Sequence, residues 1–130
     1  MNKEDKMETL KRDQFEHENK TWERSLDFFK QENAFLKNRL SAVLDSKEND
    51  NELLNLAEYF QNQFLFKDEF ISELKTDITN QNSEIQQMIN GKIPSEILSR
   101  QEILRKEMSY FKSDFSRLKN EFNQLITQFL

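Results

Sequence analysis

Apolar side chains recur along this chain in alternating steps of four and three over three long stretches. The first runs Phe15, Asn19, Trp22, Leu26, Phe29, Asn33, Leu36, Leu40 and Val43. The second runs Leu53, Ala57, Phe60, Phe64, Lys67, Ile71, Leu74, Ile78, Gln81, Ile85 and Met88. The third runs Ile97, Gln101, Leu104, Met108, Phe111, Phe115, Leu118, Phe122, Leu125 and Phe129. A mean spacing of about 3.5 residues, held over several heptads each time, predicts left-handed coiled-coil association of helices. Strand alternation reproduces none of it.

Two polar interruptions divide the pattern. Between Asp45 and Asp50 every residue is polar, and Asn49 with Glu52 three positions on resembles a capping box. In Gly91-Lys92-Ile93-Pro94-Ser95, Gly91 suits a left-handed helix end, Pro94 halts the helix and Ser95 can cap the next, with Glu96 beside its positive end. Loops this short force antiparallel neighbours. The expected fold is all-α: an elongated, antiparallel three-helix coiled-coil bundle running up-down-up. Its helices span about 15–45, 51–90 and 95–130 as one domain, and residues 1–14 form a charged extension that is frayed or continues the first helix. Folding at the two loops places Trp22, Leu74 and Phe111 in one layer and Leu36, Phe60 and Leu125 in another, to within about one helical turn.

Polar residues on the seams change the picture locally. Asn19, Asn33, Lys67, Gln81 and Gln101 weaken apolar contact there but penalise shifted registers. Lys67 is long enough to carry its ammonium out to solvent. The core seam itself rests on Trp22, Phe29, Leu36, Phe60, Phe64, Leu74, Phe111, Phe115 and Phe122.

Composition supports the helical reading. The chain of 130 residues holds one Gly, one Pro, no Cys and 12 Phe, too little turn chemistry for a sandwich or barrel. Leu, Ile, Val and Phe supply about 28% of it, enough to offset the ordering entropy of a fold. The formal net charge is −5, against the sign of a nucleic-acid binder. Residues 51–90 carry seven acidic and two basic side chains, residues 91–130 seven basic and five acidic, so the second and third helices attract each other. The charged start, MNKEDKMETLKRDQ, has no apolar segment like that of a signal peptide, and no apolar run reaches the roughly 20 residues that span a bilayer. The expected setting is cytoplasmic.

Candidate chemistry is sparse. Without Cys there is no thiol nucleophile or zinc knuckle, and the single histidine, His17, falls on the outermost position of the first helix. Acidic pairs one turn apart, such as Glu69 and Glu73, occur on any charged helix. No phosphate loop or nucleophile elbow is present. The expectation is no enzyme activity, no cofactor and no metal.

Trp22 on a heptad frame makes the chain resemble three-helix rods of the spectrin-repeat type, which place a core Trp in their first helix. Glu16-His17 followed after four residues by Trp22, together with Phe60-Gln61-Asn62-Gln63-Phe64, looks like a family of small uncharacterised helical proteins of Bacteroidota. That resemblance covers nearly the whole length and implies a bacterial origin and a helical fold. It implies no activity.

The strongest functional signal lies off the seam. Phe28 and Phe35 in the first helix, Tyr59 and Phe66 in the second, and Ile103 and Tyr110 in the third all take the heptad c position, away from the stripe centre; Phe70, at g, widens the apolar face of the second. Aromatic residues repeating seven apart on an outer face imply a buried contact. The function expected is a structural or protein-interaction module that associates by helix packing with itself or with a helical partner. Two alternatives remain: a peripheral membrane or lipid-binding bundle, and a small-molecule or metal-binding bundle built on Asn33, Lys67 and Gln81. Nucleic acid is not an expected partner, and a membrane is less favoured than protein.

Overall fold

A computed structural model describes residues 3–47, 50–88 and 92–130. The chain forms an all-α three-helix bundle of α1 (Lys3–Ser46), α2 (Asn51–Gln87) and α3 (Ser95–Ile126), closed by a 3-10 turn over Thr127–Phe129. No strand occurs among the described residues. The 44 residues of α1 span roughly 66 Å, against about 55 Å for the 37 of α2. Direction follows from the bonds between helices: Asn33 reaches the Phe64 carbonyl while Asn19 reaches Asn82, so α1 and α2 are antiparallel. Asn19 pairs with Gln101 and Glu32 with Lys119, so α1 and α3 run parallel.

The seams are buried as their spacing predicts. Trp22, Leu36, Phe60, Phe64, Leu74, Phe111, Phe115 and Phe122 belong to one large cluster, with Phe29 partly buried against it. The rings make the core aromatic. Phe122 meets Phe60 and Phe64 edge-on at 5.2 and 5.3 Å between centroids, and Phe29 meets Phe111 and Phe115 at 5.3 and 5.2 Å. At the end of α3 the pattern slips: Ile126 is buried while Leu125 is only partly so. A straight helix drifts from a 3.5-residue repeat, and the last turn tightens to 3-10 geometry, so the inward position moves by one residue.

The expected layers are displaced by about one turn. The Phe111 ring meets Phe29 and Phe70, and Phe60 meets Phe122, which lie one to two turns from the expected layer partners Trp22, Leu74 and Leu125. Loop midpoints set the expectation, whereas the buried polar contacts described below fix the register.

Capping also differs from expectation. Asp50 caps α2, its carboxylate accepting from the Leu53 amide at 3.0 Å; Asn49 and Gly91 lie outside the described residues. Ser95 does not cap α3. Pro94 holds the cap position without a side-chain bond, and its carbonyl accepts from Ile97 and Leu98.

The charged extension is helical from Lys3, with Glu4 and Asp5 in its first turn, where negative charge suits the helix dipole. It is held at the hairpin tip. Glu8 accepts from the Ile93 amide at 2.9 Å, and Arg12 donates to the Met88 carbonyl. Phe15 then closes a second, smaller cluster with Ile85, Ile93 and Ile97. Met7 and Leu10 on the same extension remain exposed.

Candidate functional site

A buried polar layer separates the two clusters. Asn19 from α1, Gln81 and Asn82 from α2 and Gln101 from α3 are all buried. Gln101 donates to the Asn19 side-chain oxygen at 2.9 Å and to Glu18 at 2.8 Å. Its own oxygen accepts from Gln81 at 3.2 Å, and Gln81 also donates to the Ile97 carbonyl at 2.9 Å. Asn19 donates to Asn82 at 3.3 Å. At the rim Arg105 holds Glu18 through two bonds of 2.8 Å. One bonded chain thus links all three helices at one level, and a slip by a heptad would set these amides against hydrocarbon.

Asn33 and Lys67 act at other levels. Asn33 donates to the Phe64 carbonyl at 2.8 Å and to Asp68 at 2.9 Å, and Lys37 also pairs with Asp68. Lys67 leaves the seam to meet Asp114 on α3. Burial would raise the Asp114 carboxyl, but hydrogen bonds and charge from Lys67 and Arg117 outweigh it and hold the group below its ordinary value. Asn33, Lys67 and Gln81 therefore serve different contacts and do not converge on one ligand cavity. Among the described residues no group of three or more His, Cys, Asp or Glu side chains is arranged to hold a metal ion. His17 is exposed on α1.

The off-seam apolar residues divide between two grooves. Phe66 and Tyr110 line one depression of about 280 Å³ between α2 and α3, floored by Phe70, Phe111, Lys67 and Asp114. Ile103 lines a neighbouring cavity of about 550 Å³ with Asp77, Gln81, Glu84, Arg100 and Glu107. Tyr59 lines a third, of about 200 Å³, beside Arg117 and Glu121. Tyr59, Phe66, Tyr110 and Ile103 thus form a stripe along the α2–α3 groove, and their relative exposures are 44, 55, 63 and 52%. Phe70 is half-buried in the floor of the first depression, its ring stacked on Phe111 at 5.6 Å with an interplanar angle of 6°.

Phe28 and Phe35 belong elsewhere. They lie within one turn of Glu32, which pairs with Lys119, so they flank the α1–α3 groove. Both are more than half exposed, although Phe28 touches Phe29 edge-on. The sequence pattern also missed Leu54 and Leu65, exposed on α2, and the roles of Glu18, Asn82 and Arg105. Opposite charges at the flanking positions 18 and 105 were the signal for two of these.

Charge is uneven along the α2–α3 groove. Lys67–Asp114 and Arg100–Glu84 bridge it at two levels. Between them Glu73, Asp77 and Glu107 have no cationic partner among the described residues. Burial, then the Asp77 and Glu73 carboxylates, push the Glu107 carboxyl above its ordinary value. Such a group favours the folded state below the ordinary carboxylate pKa, and that contribution is lost as pH rises through the raised value. Glu107→Gln is therefore expected to raise Tm by about 1–3 °C near neutral pH and to leave it unchanged at about pH 3. Thermal unfolding followed by circular dichroism at both pH values checks this.

No helix among the described residues is long and apolar enough to cross a membrane. The fold and its surface define a helical bundle with exposed apolar side chains flanking two of its interhelical grooves. Comparison with family models, curated proteins and solved structures finds no match.

Proposed function

We propose that this chain is a cytoplasmic structural or interaction module, not an enzyme, and that it associates with further copies of itself by helix packing. The observation that carries this reading is the open α2–α3 groove. Tyr59, Phe66, Ile103 and Tyr110 leave about half or more of their surface to water although each is large and apolar. Fully burying such a side chain from water is worth roughly 1.5–3 kcal/mol, so covering the exposed half of several favours association and offsets part of its entropic cost. The spacing of one heptad between Tyr59 and Phe66 suits a helix laid into the groove.

Sedimentation velocity across micromolar concentrations tests the proposal. Species larger than a monomer are expected for the native sequence. The doubly substituted Phe66→Ser/Tyr110→Ser chain is expected to sediment as a monomer with unchanged helicity. A native chain that stays monomeric throughout would refute the reading.

A further inference from the structure

Each copy carries two exposed apolar stripes in different grooves, so neither can cover the other within one molecule. The α1 stripe, Phe28 and Phe35, continues toward the N-terminus into Arg24 one turn before Phe28 and Lys20 one turn before that. Among the described residues neither cation has an ion-pair partner. The α2–α3 stripe runs from Phe66 and Tyr110 toward Glu107, three residues before Tyr110 on α3, and toward Asp77 on α2, with Glu73 one turn before Asp77 close enough for its charge to act on Glu107. One stripe is therefore aromatic and then basic, the other aromatic and then acidic, in matching steps of about one helical turn.

We propose, building on the self-association reading, that the α2–α3 groove of one copy receives α1 of a second copy. In this arrangement the incoming α1 runs parallel to α3. Phe28 seats between Phe66 and Tyr110, and Phe35 lies one heptad further along, between Phe66 and Tyr59. Arg24 then reaches the level of Glu107, Glu73 and Asp77. The uncompensated carboxylates gain a cation there, and Lys20 extends the contact toward Glu84. Burial first, and then the neighbouring Asp77 and Glu73 carboxylates, hold the Glu107 carboxyl above its ordinary value, so a cation arriving at this level would be favoured.

The two surfaces differ, so the contact is heterologous. A two-fold axis cannot close it: each added copy still offers one free groove and one free α1 stripe, and growth proceeds head to tail. Mixing two defective chains tests that directly. Phe28→Ser/Phe35→Ser keeps the groove and loses the stripe, while Phe66→Ser/Tyr110→Ser keeps the stripe and loses the groove. Each alone is expected to be monomeric by sedimentation velocity, and an equimolar mixture is expected to form a heterodimer and nothing larger.

Charge provides the second arm. Arg24→Glu placed in the groove-defective chain is expected to weaken that heterodimer roughly tenfold, and Glu107→Arg in its partner to restore it. A mixture that stays monomeric while the native chain self-associates would overturn the proposed contact and leave self-association standing on another surface. A mixture that grows beyond a dimer would also overturn it, as would indifference to both charge changes. A monomeric native chain would remove the underlying reading instead.

Discussion

Phe122→Ala is expected to destabilise the bundle by about 3–5 kcal/mol and to lower Tm by roughly 10–20 °C. The side chain is fully buried and touches the faces or edges of Phe60 and Phe64 on the opposing helix. Its removal forfeits the transfer energy of the ring and opens a void that stiff aromatic neighbours fill poorly. Against a total stability of about 5–15 kcal/mol, that is a large fraction. Phe35→Ala removes a ring of the same chemistry that is 65% exposed, and is expected to change monomer stability by less than about 0.5 kcal/mol. Urea unfolding of dilute samples compares the two, and equal losses would contradict the burial described here.

The polar layer should respond differently to substitution. Gln101→Leu strands the Asn19 side-chain oxygen, removes one of the bonds to Glu18 and leaves Gln81 with the Ile97 carbonyl alone. Each buried group left without its partner costs about 1–3 kcal/mol, so a loss of about 2–4 kcal/mol is expected. Replacing the interacting set together, as Asn19→Leu/Gln81→Leu/Gln101→Leu, is expected to recover most of that stability. The cost would appear as lost uniqueness. Amide NMR spectra of the triple variant should show extra peaks, because only Asn82 and the rim pair Glu18–Arg105 remain at that level to distinguish one hairpin register from its neighbour. A triple variant as unstable as Gln101→Leu would show that the layer contributes net stability as well as register.

The heptads made the seams readable because an inward-facing row of side chains must repeat with the helix, whatever its neighbours are. Register was read only to within a turn. It depends on how Asn33 finds the Phe64 carbonyl and how Gln101 finds Asn19, and these are distances across space that no local spacing contains. Leu125 and Ile126 exchanged roles because the phase of a terminal turn is set by its own winding.

The off-seam residues were recognised, but not their grouping. The c position lies beside g on a helical wheel, so a c residue flanks whichever helix its g side faces. On α1 that neighbour is α3, through Glu32 and Lys119; on α2 and α3 the g sides face one another, through Lys67 with Asp114 and Phe70 with Phe111. Which way the third helix turns across the first two decides this, and a heptad pattern is silent on that handedness. Phe28 and Tyr59 therefore look equivalent in sequence and occupy separate grooves in the fold.

The division of the core by the polar layer bears on motion as well as on register. The tip cluster has four buried members, Phe15, Ile85, Ile93 and Ile97, whereas the body holds the full set of stacked rings. Apolar contact does not run continuously between them, and the amide layer transmits little hydrophobic cooperativity. The elements that form the smaller cluster are thus expected to open as a unit before the aromatic body does, and amide hydrogen exchange faster at Ile85 and Ile97 than at Phe64 and Phe115 would show it.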